Sequence, residues 1–420
     1  MKSTNRLKII SLILVAAAVI IAGASTKLTE LFGENMKLPN NENNSPSSHD
    51  STDIDNSSSS SPEMPQEVRG LWVSYIDLNM SGTDYSQEAF EQKFDTIVDN
   101  AVSSGFNTLV VQVRPFADAL YDSDYFPTSH VIFKTQGADL TFDPLEYMCK
   151  KSHENNLRIE AWINPYRIKT TDFPDPLSED NPYMKNKNLG VVTDTGIFFN
   201  PAFPEVTQLI CDGVREILEK YPVDGIQFDD YFYPTQDKSF DSEVYNEYYT
   251  QQTNNGKEPL SLEDWRVENV NNMLREVYKT VHETSDTAVF GISPQGNISN
   301  NKSLSADVIT WCTTEGYADY ICPQLYFSLD NPPLTFEDAL QDWTEIDFAP
   351  GVELYIGLAG YKAGTDADFG TWLDRNNIIQ RQIEIIREAG IKGFILYSYN
   401  SLVSETAAEE MENMRKLLNS

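Results

Sequence analysis

Between Val223 and Pro234 the chain runs Val-Asp-Gly-Ile-Gln-Phe-Asp-Asp-Tyr-Phe-Tyr-Pro. A short apolar strand ends in two adjacent carboxylates, Asp229 and Asp230, and aromatic side chains follow at once. Acid at the carboxyl end of a parallel strand is where (β/α) barrels hold their chemistry. Carboxylates beside aromatic rings suit sugar hydrolysis: acids for the glycosidic oxygen and the anomeric carbon, flat faces for the ring. The plainer alternative is a strand ending in a solvated turn, where Asp is common. Two Asp followed by Tyr-Phe-Tyr-Pro make a poor solvated turn, which favours a functional reading.

Those residues need a scaffold. From Glu67 onward apolar, β-rich stretches each precede a helical pattern, the alternation of a parallel sheet. Strands are expected at Val68–Ile76, Thr108–Arg114, Arg158–Asn164, Gly225–Asp229, Ala288–Ser293, Tyr320–Tyr326, Glu353–Ala359 and Gly393–Tyr399. Helices are expected near Gln87–Ser103, Pro144–Asn155, Glu205–Lys220, Glu263–Glu283, Ala306–Thr313, Phe336–Glu345, Asn377–Ala389 and Glu405–Leu418. Eight strand–helix repeats predict an α/β fold, a (β/α)8 TIM barrel. An open doubly wound sheet is the rival, but no GxGxxG or Walker A sequence follows any strand. The stretches after the second, third and fourth strands are long: Pro115–Asp143, Pro165–Pro204 and Tyr231–Leu262. In a barrel all three rise from the catalytic face.

Alternation along a strand selects faces. In the fourth strand Gly225, Gln227 and Asp229 share one face, and Ile226, Phe228 and Asp230 the other. With Ile226 and Phe228 toward the helices, Asp229 tops the barrel interior and Asp230 begins the loop. The same reasoning groups Gln112 with Arg114, Glu160 with Trp162 and Asn164, and Gln324 with Tyr326. Polar and aromatic groups at several strand tops point to a pocket for a polar ligand. Gln112 or Glu160 alone reads as readily as a satisfied core polar group. Beyond the second strand, Asp118 is either a second pocket carboxylate or the partner of Arg114 in an ion pair that orders the loop.

Composition narrows the ligand. A formal net charge of −33 over 420 residues repels a polyanion, so nucleic-acid binding is disfavoured. Four His occur without HxH or HExxH spacing, and Cys149, Cys211, Cys312 and Cys322 are scattered. These patterns disfavour a zinc site and suggest ordinary buried thiols; no metal or cofactor is expected. Residues 1–26 read as a signal peptide or N-terminal membrane anchor: Lys2, Arg6 and Lys8, then an apolar run from Ile9 to Ala24 ending in small residues. Residues 27–66, rich in Ser, Asn, Asp and Pro, read as a flexible tether. The folded domain is expected over 67–420. The chain is expected to be exported, extracellular or cell-wall associated, with membrane attachment only through the N-terminal segment.

A family resemblance runs through nearly the whole expected domain. It is carried by Arg69-Gly70-Leu71-Trp72-Val73, Gln112-Val113-Arg114-Pro115 with Asp118-Ala119, and Ala161-Trp162-Ile163-Asn164-Pro165-Tyr166-Arg167. It continues in Val223-Asp224-Gly225, Phe228-Asp229-Asp230-Tyr231-Phe232-Tyr233-Pro234, Trp265-Arg266 with Asn269-Val270, Ile292-Ser293-Pro294 and Pro323-Gln324-Leu325-Tyr326. In this order the strings resemble glycosyl-hydrolase-like family 10, bacterial envelope glycoside hydrolases, one of which acts at the divisome on peptidoglycan strands stripped of peptides. The resemblance implies a TIM barrel and an envelope glycan substrate. Glu160 departs from it, standing where the family often has His, and Gln295-Gly296-Asn297 is atypical. More distantly, Gly225–Asp229 is similar to the fourth strand of α-amylase-type barrels, whose corresponding Asp is the nucleophile.

The combined expectation is a glycosidase of an envelope polysaccharide, peptide-stripped peptidoglycan glycan foremost. Asp229 is nucleophile or general base, and Asp230 or Asp118 is proton donor. Arg114, Asn164, Gln324 and Tyr326 hold the sugar, while Trp72, Trp162, Tyr231 and Tyr233 offer stacking faces. A non-catalytic glycan-binding protein using the same pocket is the alternative.

Overall fold

The structure, a computed structural model, describes residues 62–420. The expected export segment and nearly all of the expected tether lie outside the described residues. One parallel sheet runs through eight strand positions: β1 (Val68–Val73), β2 (Thr108–Arg114), β3 (Arg158–Ile163), β4 (Gly225–Phe228), β5 (Val289–Ile292), β6 (Tyr320–Ile321), β7 (Glu353–Leu354, resuming as Ile356–Ala359) and β8 (Gly393–Tyr397). Spatial order follows the chain, and β8 pairs back onto β1, Trp72 opposite Tyr397. The two halves of β7 make the sheet nine segments: the first pairs with β6, the second with β8. The chain itself therefore carries the ring across the gap at Tyr355, and a bridge from Gln324 to Gly357 spans it higher up. This is the nearly closed TIM barrel that the alternation predicts.

The helices covering the sheet are α1 (Gln87–Ser103), α2 (Pro144–Glu154), α3 (Pro204–Lys220), α4 (Leu262–Thr284), α5 (Val308–Thr313), α6 (Phe336–Thr344), α7 (Ile378–Glu388) and α8 (Ala408–Leu418). Their starts follow from local chemistry. Ser86, Asp143 and Ser261 accept first-turn amides of α1, α2 and α4. Pro144 and Pro204 occupy first-turn positions where an amide hydrogen would lack a partner anyway.

Alternation divides the apolar side chains into two cores. Leu71, Val111, Ile159, Ile226, Phe228 and Phe290 face the helices and are fully buried. Phe228 meets Phe290 edge-on at 5.1 Å; truncating such a ring costs about 3–5 kcal/mol. Inside the ring, Val68, Trp72, Val110, Trp162, Tyr320, Cys322, Tyr355 and Ile395 form a plug. The top of that plug is the floor of whatever the loops enclose.

Several elements differ from the sequence expectation for local reasons. β1 stops at Val73 because Ser74 caps a one-turn helix, Tyr75–Leu78, in a capping box with Asp77. β6 keeps only two ladder residues, with Pro323, which has no amide hydrogen, just beyond it. The loop after β3 carries a small antiparallel sheet of Arg167–Thr170, Gly190–Thr193 and Gly196–Phe199. Its strands are too short for alternation to be read. The loop after β4 carries a helix, Ser242–Asn254, which buries none of its residues and so lacks the apolar stripe that would announce it.

A bulge in β2 corrects one expected grouping. Gln112 pairs with Trp162 and Arg114 with Ile163, so two steps on β2 match one on β3. The strand's phase inverts there. Gln112 points into the barrel, and Arg114 points out toward α3. Arg114 is fully buried, its guanidinium 4.4 Å from the centroid of Phe126. Gly213 of α3 makes room for it, since a Cβ there would stand 2.3 Å from Nη1. Arg114 is thus remote from the pocket, and no ion pair joins it to Asp118 among the described residues.

Candidate active site

β4 ends at Phe228, one residue earlier than its pattern suggests, so strand phase no longer governs the two acids beyond it. Asp229 Oδ2 accepts hydrogen bonds from Trp162 Nε1 at 3.1 Å and Asn164 Nδ2 at 2.5 Å. Its Oδ1 takes a longer one, 3.3 Å, from the Tyr231 amide. Asp230 is held from the opposite flank: Gln295 Nε2 donates to Oδ2 at 2.9 Å and Gln324 Nε2 to Oδ1 at 3.3 Å.

The Asp229 anchor continues around the barrel top. Asn164 Oδ1 accepts from Gln112 Nε2 at 2.5 Å and from Arg167 Nη2 at 3.1 Å. Gln112 Oε1 in turn accepts the Tyr75 amide at 3.0 Å. Strands β1 to β4 are therefore tied together through amide side chains at the level of the acids. Arg167 also donates to the Pro115 carbonyl at 2.7 Å and lies 5.5 Å from the centroid of Tyr231.

Electrostatics follows from this enclosure. Burial, then the neighbouring Asp230 charge, raise Asp229 to about 7, against the pull of Arg167, the Tyr231 amide and Asn164. Burial likewise raises Asp230, opposed by Gln295 and Gln324. A pair so arranged can keep a proton near neutral pH and deliver it to a leaving oxygen.

Aromatic side chains line the opening. Tyr326 stacks on Tyr397 at 6.0 Å, Tyr361 meets both edge-on at 5.9 Å, and Trp162 meets Tyr397 edge-on at 6.4 Å. Tyr231 and Tyr361 are 47% and 48% exposed and form the accessible rim. Burial, then the neighbouring Tyr397 and Tyr361 hydroxyls, raise the Tyr326 hydroxyl well above its ordinary value, with a smaller push from Asp230.

The structure thus brings together Asp229, Asp230, Asn164, Trp162, Tyr231, Gln324 and Tyr326. Besides Arg114, four expected positions lie elsewhere or serve differently. Trp72 is inside the plug, its Nε1 donating to Gln227 Oε1 at 2.5 Å. Trp162 is likewise buried and meets the site through its N–H edge rather than as an open stacking face. Tyr233 is buried under the loop, with Arg266 5.1 Å from its ring centroid. Asp118 is fully buried beside His130 Nδ1 at 3.3 Å and Gln136 Nε2 at 3.1 Å, and Gln136 ties it to the amide of Ser178. Asp118 therefore knits the loops after β2 and β3 rather than joining the acid pair.

Arg167, Gln295, Tyr361 and Tyr397 belong to the site but carry no assigned role in the sequence reading. Arg167 sits three residues past Asn164, beyond the reach of strand phase. Its signal is chemical: a guanidinium directly after a strand-end Asn, in a string already marked by the family resemblance.

Residues 67–373 match the profile of the family described as glycosyl hydrolase-like 10. The glycosyl hydrolase YngK of Bacillus subtilis is 33% identical over 364 residues, 80% of this chain and 69% of that protein. The glycosyl hydrolase DigH of Escherichia coli K12 is 29% identical over 335 residues, 71% of this chain and 74% of that protein. Among solved structures, the catalytic domain of a β-amylase from Paenibacillus polymyxa superposes with a TM-score of 0.54 at 11% identity, covering 84% of this chain and 98% of that one. The glycoside hydrolase domain of PgaB from Bordetella bronchiseptica gives 0.51 at 12%, covering 84% and 99%. At those identities the structural likeness concerns the barrel fold.

Proposed function

The chain belongs to the glycosyl hydrolase-like 10 family, and we propose that it is a glycosidase of a cell-envelope polysaccharide, peptide-free peptidoglycan glycan foremost. In the free site the Asp230 charge keeps the pair's last proton on Asp229. When substrate binds, that proton passes to Asp230, which gives it to the glycosidic oxygen. Asp229, as carboxylate, stabilises or captures the positive charge that develops at the anomeric carbon. Arg167 and Asn164 hold Asp229 in place and favour its ionised form. Tyr231, Tyr326 and Tyr361 receive the sugar rings, and Gln324 orients Asp230.

The observation that carries this reading is the coupled Asp229–Asp230 pair, opening beneath exposed tyrosines at the carboxyl end of β4. The envelope assignment draws support from the basic start and apolar run within residues 1–26. Export leaves the barrel outside the cytoplasm, cell-wall associated or tethered through that segment. The test is to incubate the protein with amidase-treated peptidoglycan and follow products by mass spectrometry. Shortened glycans with new reducing ends are expected, and their absence from this and other envelope glycans would sink the proposal.

A further inference from the structure

A formal charge of −33 over 420 residues leaves this chain little with which to hold an anion. Arg167 is a cation left unneutralised beside the acid pair. Its Nε donates to the Pro115 carbonyl at 2.7 Å and its Nη2 to Asn164 Oδ1 at 3.1 Å. Both acceptors are uncharged, and among the described residues no carboxylate is bonded to the guanidinium. A guanidinium carries five donors in one planar fork. The two bonds use its Nε–Nη2 side. The Nη1–Nη2 end, with both Nη1 hydrogens, stays open.

Two other cations show the contrast. Lys362, beside Tyr326, is fully engaged: Nζ donates to Asp368 Oδ1 and to the Tyr326 carbonyl at 2.7 Å each. Arg114 has unpartnered nitrogens, but they are sealed from solvent, whereas Arg167 is half-buried and solvent reaches its Nη1. Arg167 is also held in place. Asn164 bonds to Arg167 through Oδ1 and to Asp229 through Nδ2, so one carboxamide separates the cation from the acid. The ring centroids of Phe116 and Tyr231 lie 4.9 and 5.5 Å from the guanidinium carbon. Rings so close limit its swing, and a preorganised fork loses less freedom when a ligand binds. An arginine serving Asp229 alone would act most strongly by bonding to it directly. This one bonds to Asn164 and leaves its end open.

We propose that Arg167 is also a specificity residue, whose open end binds a carboxylate carried by the sugar at, or next to, the scissile bond. The inference rests on the glycosidase reading of this same site. A carboxylate is planar and accepts two parallel bonds from such an end, which a hydroxyl cannot. The lactyl ether of a muramic acid supplies one, and so does C6 of a uronic acid. A peptide joined to the lactyl carboxyl makes it an amide and removes the charge. The contact therefore selects glycan whose carboxyls are free. It also sets the ligand's charge beside a cation, within a protein whose overall field repels anions.

Peptide-free peptidoglycan glycan and an oligouronate test this with the full chain, each as the free acid and as the methylamide. Wild type should cleave the acid form of at least one with kcat/KM about tenfold or more above its methylamide, the scale of a charge-assisted contact. The glycan that responds identifies the source of the carboxylate. Arg167→Gln should lower that ratio to about threefold or less. On the methylamide the variant keeps only the loss that comes through Asp229, so the ratio isolates the contact. Where the variant turns over too slowly, binding of N-acetylmuramic acid or glucuronic acid against its methylamide reads the same ratio. Equal treatment of acid and methylamide by wild type, or a preference that survives Arg167→Gln, overturns the inference and leaves the glycosidase reading intact. Cleavage of neither glycan in either form sinks both.

Discussion

Asp229 and Glu160 stand in the same barrel, one just past β4 and the other within β3, and burial raises both carboxyls to about 7. Their surroundings differ. Glu160 is enclosed beneath the plug, where Tyr320 Oη donates to it at 2.5 Å and Gln227 Nε2 donates to Tyr320 Oη at 2.8 Å. Trp72 Nε1 closes that chain on Gln227. Asp229 has a second carboxylate and a guanidinium beside it and opens toward exposed tyrosines. A perturbed acid is therefore no sufficient sign of a site. The two are equally buried; what separates them is a half-buried acid partner, Asp230, that can exchange the proton.

The sharpest break of this comparison is a pair of isosteric amides. Asp229→Asn should lower kcat/KM on peptide-free glycan by about 10³-fold or more, since it removes the group that meets developing charge. Its melting temperature should hold or rise, because a buried acid is lost. Glu160→Gln should stay within about threefold of wild type, the scale of an indirect effect below 1 kcal/mol. Similar losses in both variants would erase the distinction.

Arg167→Gln tests the guanidinium with a smaller expected effect. Arg167 favours ionised Asp229, so its removal leaves burial and Asp230 less opposed. The pH at which Asp229 ionises then moves up. With the glycan's carboxyls blocked as methylamides, the rising acid limb of kcat/KM should shift to higher pH, with a loss of about tenfold at neutral pH, near 1.4 kcal/mol. A uniform loss with an unmoved limb would make Arg167 a packing residue of the Phe116 and Tyr231 rings.

These contrasts also mark what could be read from the chain. The barrel was legible because strand and helix periods alternate over the whole domain, and Asp229 because one apolar phase, Ile226 and Phe228, runs up to it. Asp230 was legible as an acid beside it, but its direction was not, since the strand ends before it. Arg114 was misgrouped because a bulge leaves no mark in the pattern of apolar residues. Tyr231 and Tyr233 are the same residue type two positions apart, yet one is rim and the other buried under Arg266. Only the path of the loop distinguishes them, and that path depends on contacts far away in sequence, such as the Tyr233 amide donating to the Leu304 carbonyl.

Glu160 gives a smaller, purely thermodynamic effect. Its native value of about 7 exceeds the unfolded carboxyl's, roughly 4.3, so the native state holds the extra proton between them. Stability from this group is present below the lower value and is lost as pH rises through the upper one, a change of about 4 kcal/mol at most. Glu160→Gln removes the titration and keeps an acceptor for Tyr320. The variant should melt a few degrees above wild type at pH 8 and at nearly the same temperature at pH 4.5. Equal differences at the two pH values would mean that Glu160 does not titrate in the native barrel.

The smallest expected effect belongs to Arg114. Its guanidinium is fully buried against Phe126 and Gly213, neither Nη has a hydrogen-bond partner, and burial lowers its pKa. Tyr121 and Glu216 oppose that shift only in part. A buried cation without hydrogen bonds to its terminal nitrogens is a cost that an apolar side chain of similar volume often relieves. Arg114→Met should therefore leave glycan cleavage within about twofold and the melting temperature unchanged or slightly higher, a difference of about 1 kcal/mol or less. The same substitution at a sugar-contacting arginine would remove charged hydrogen bonds worth about 1.5–3 kcal/mol and cost at least tenfold in kcat/KM. A tenfold loss in a stably folded Arg114→Met would return this residue to the bowl and show that the β2 bulge does not govern its direction.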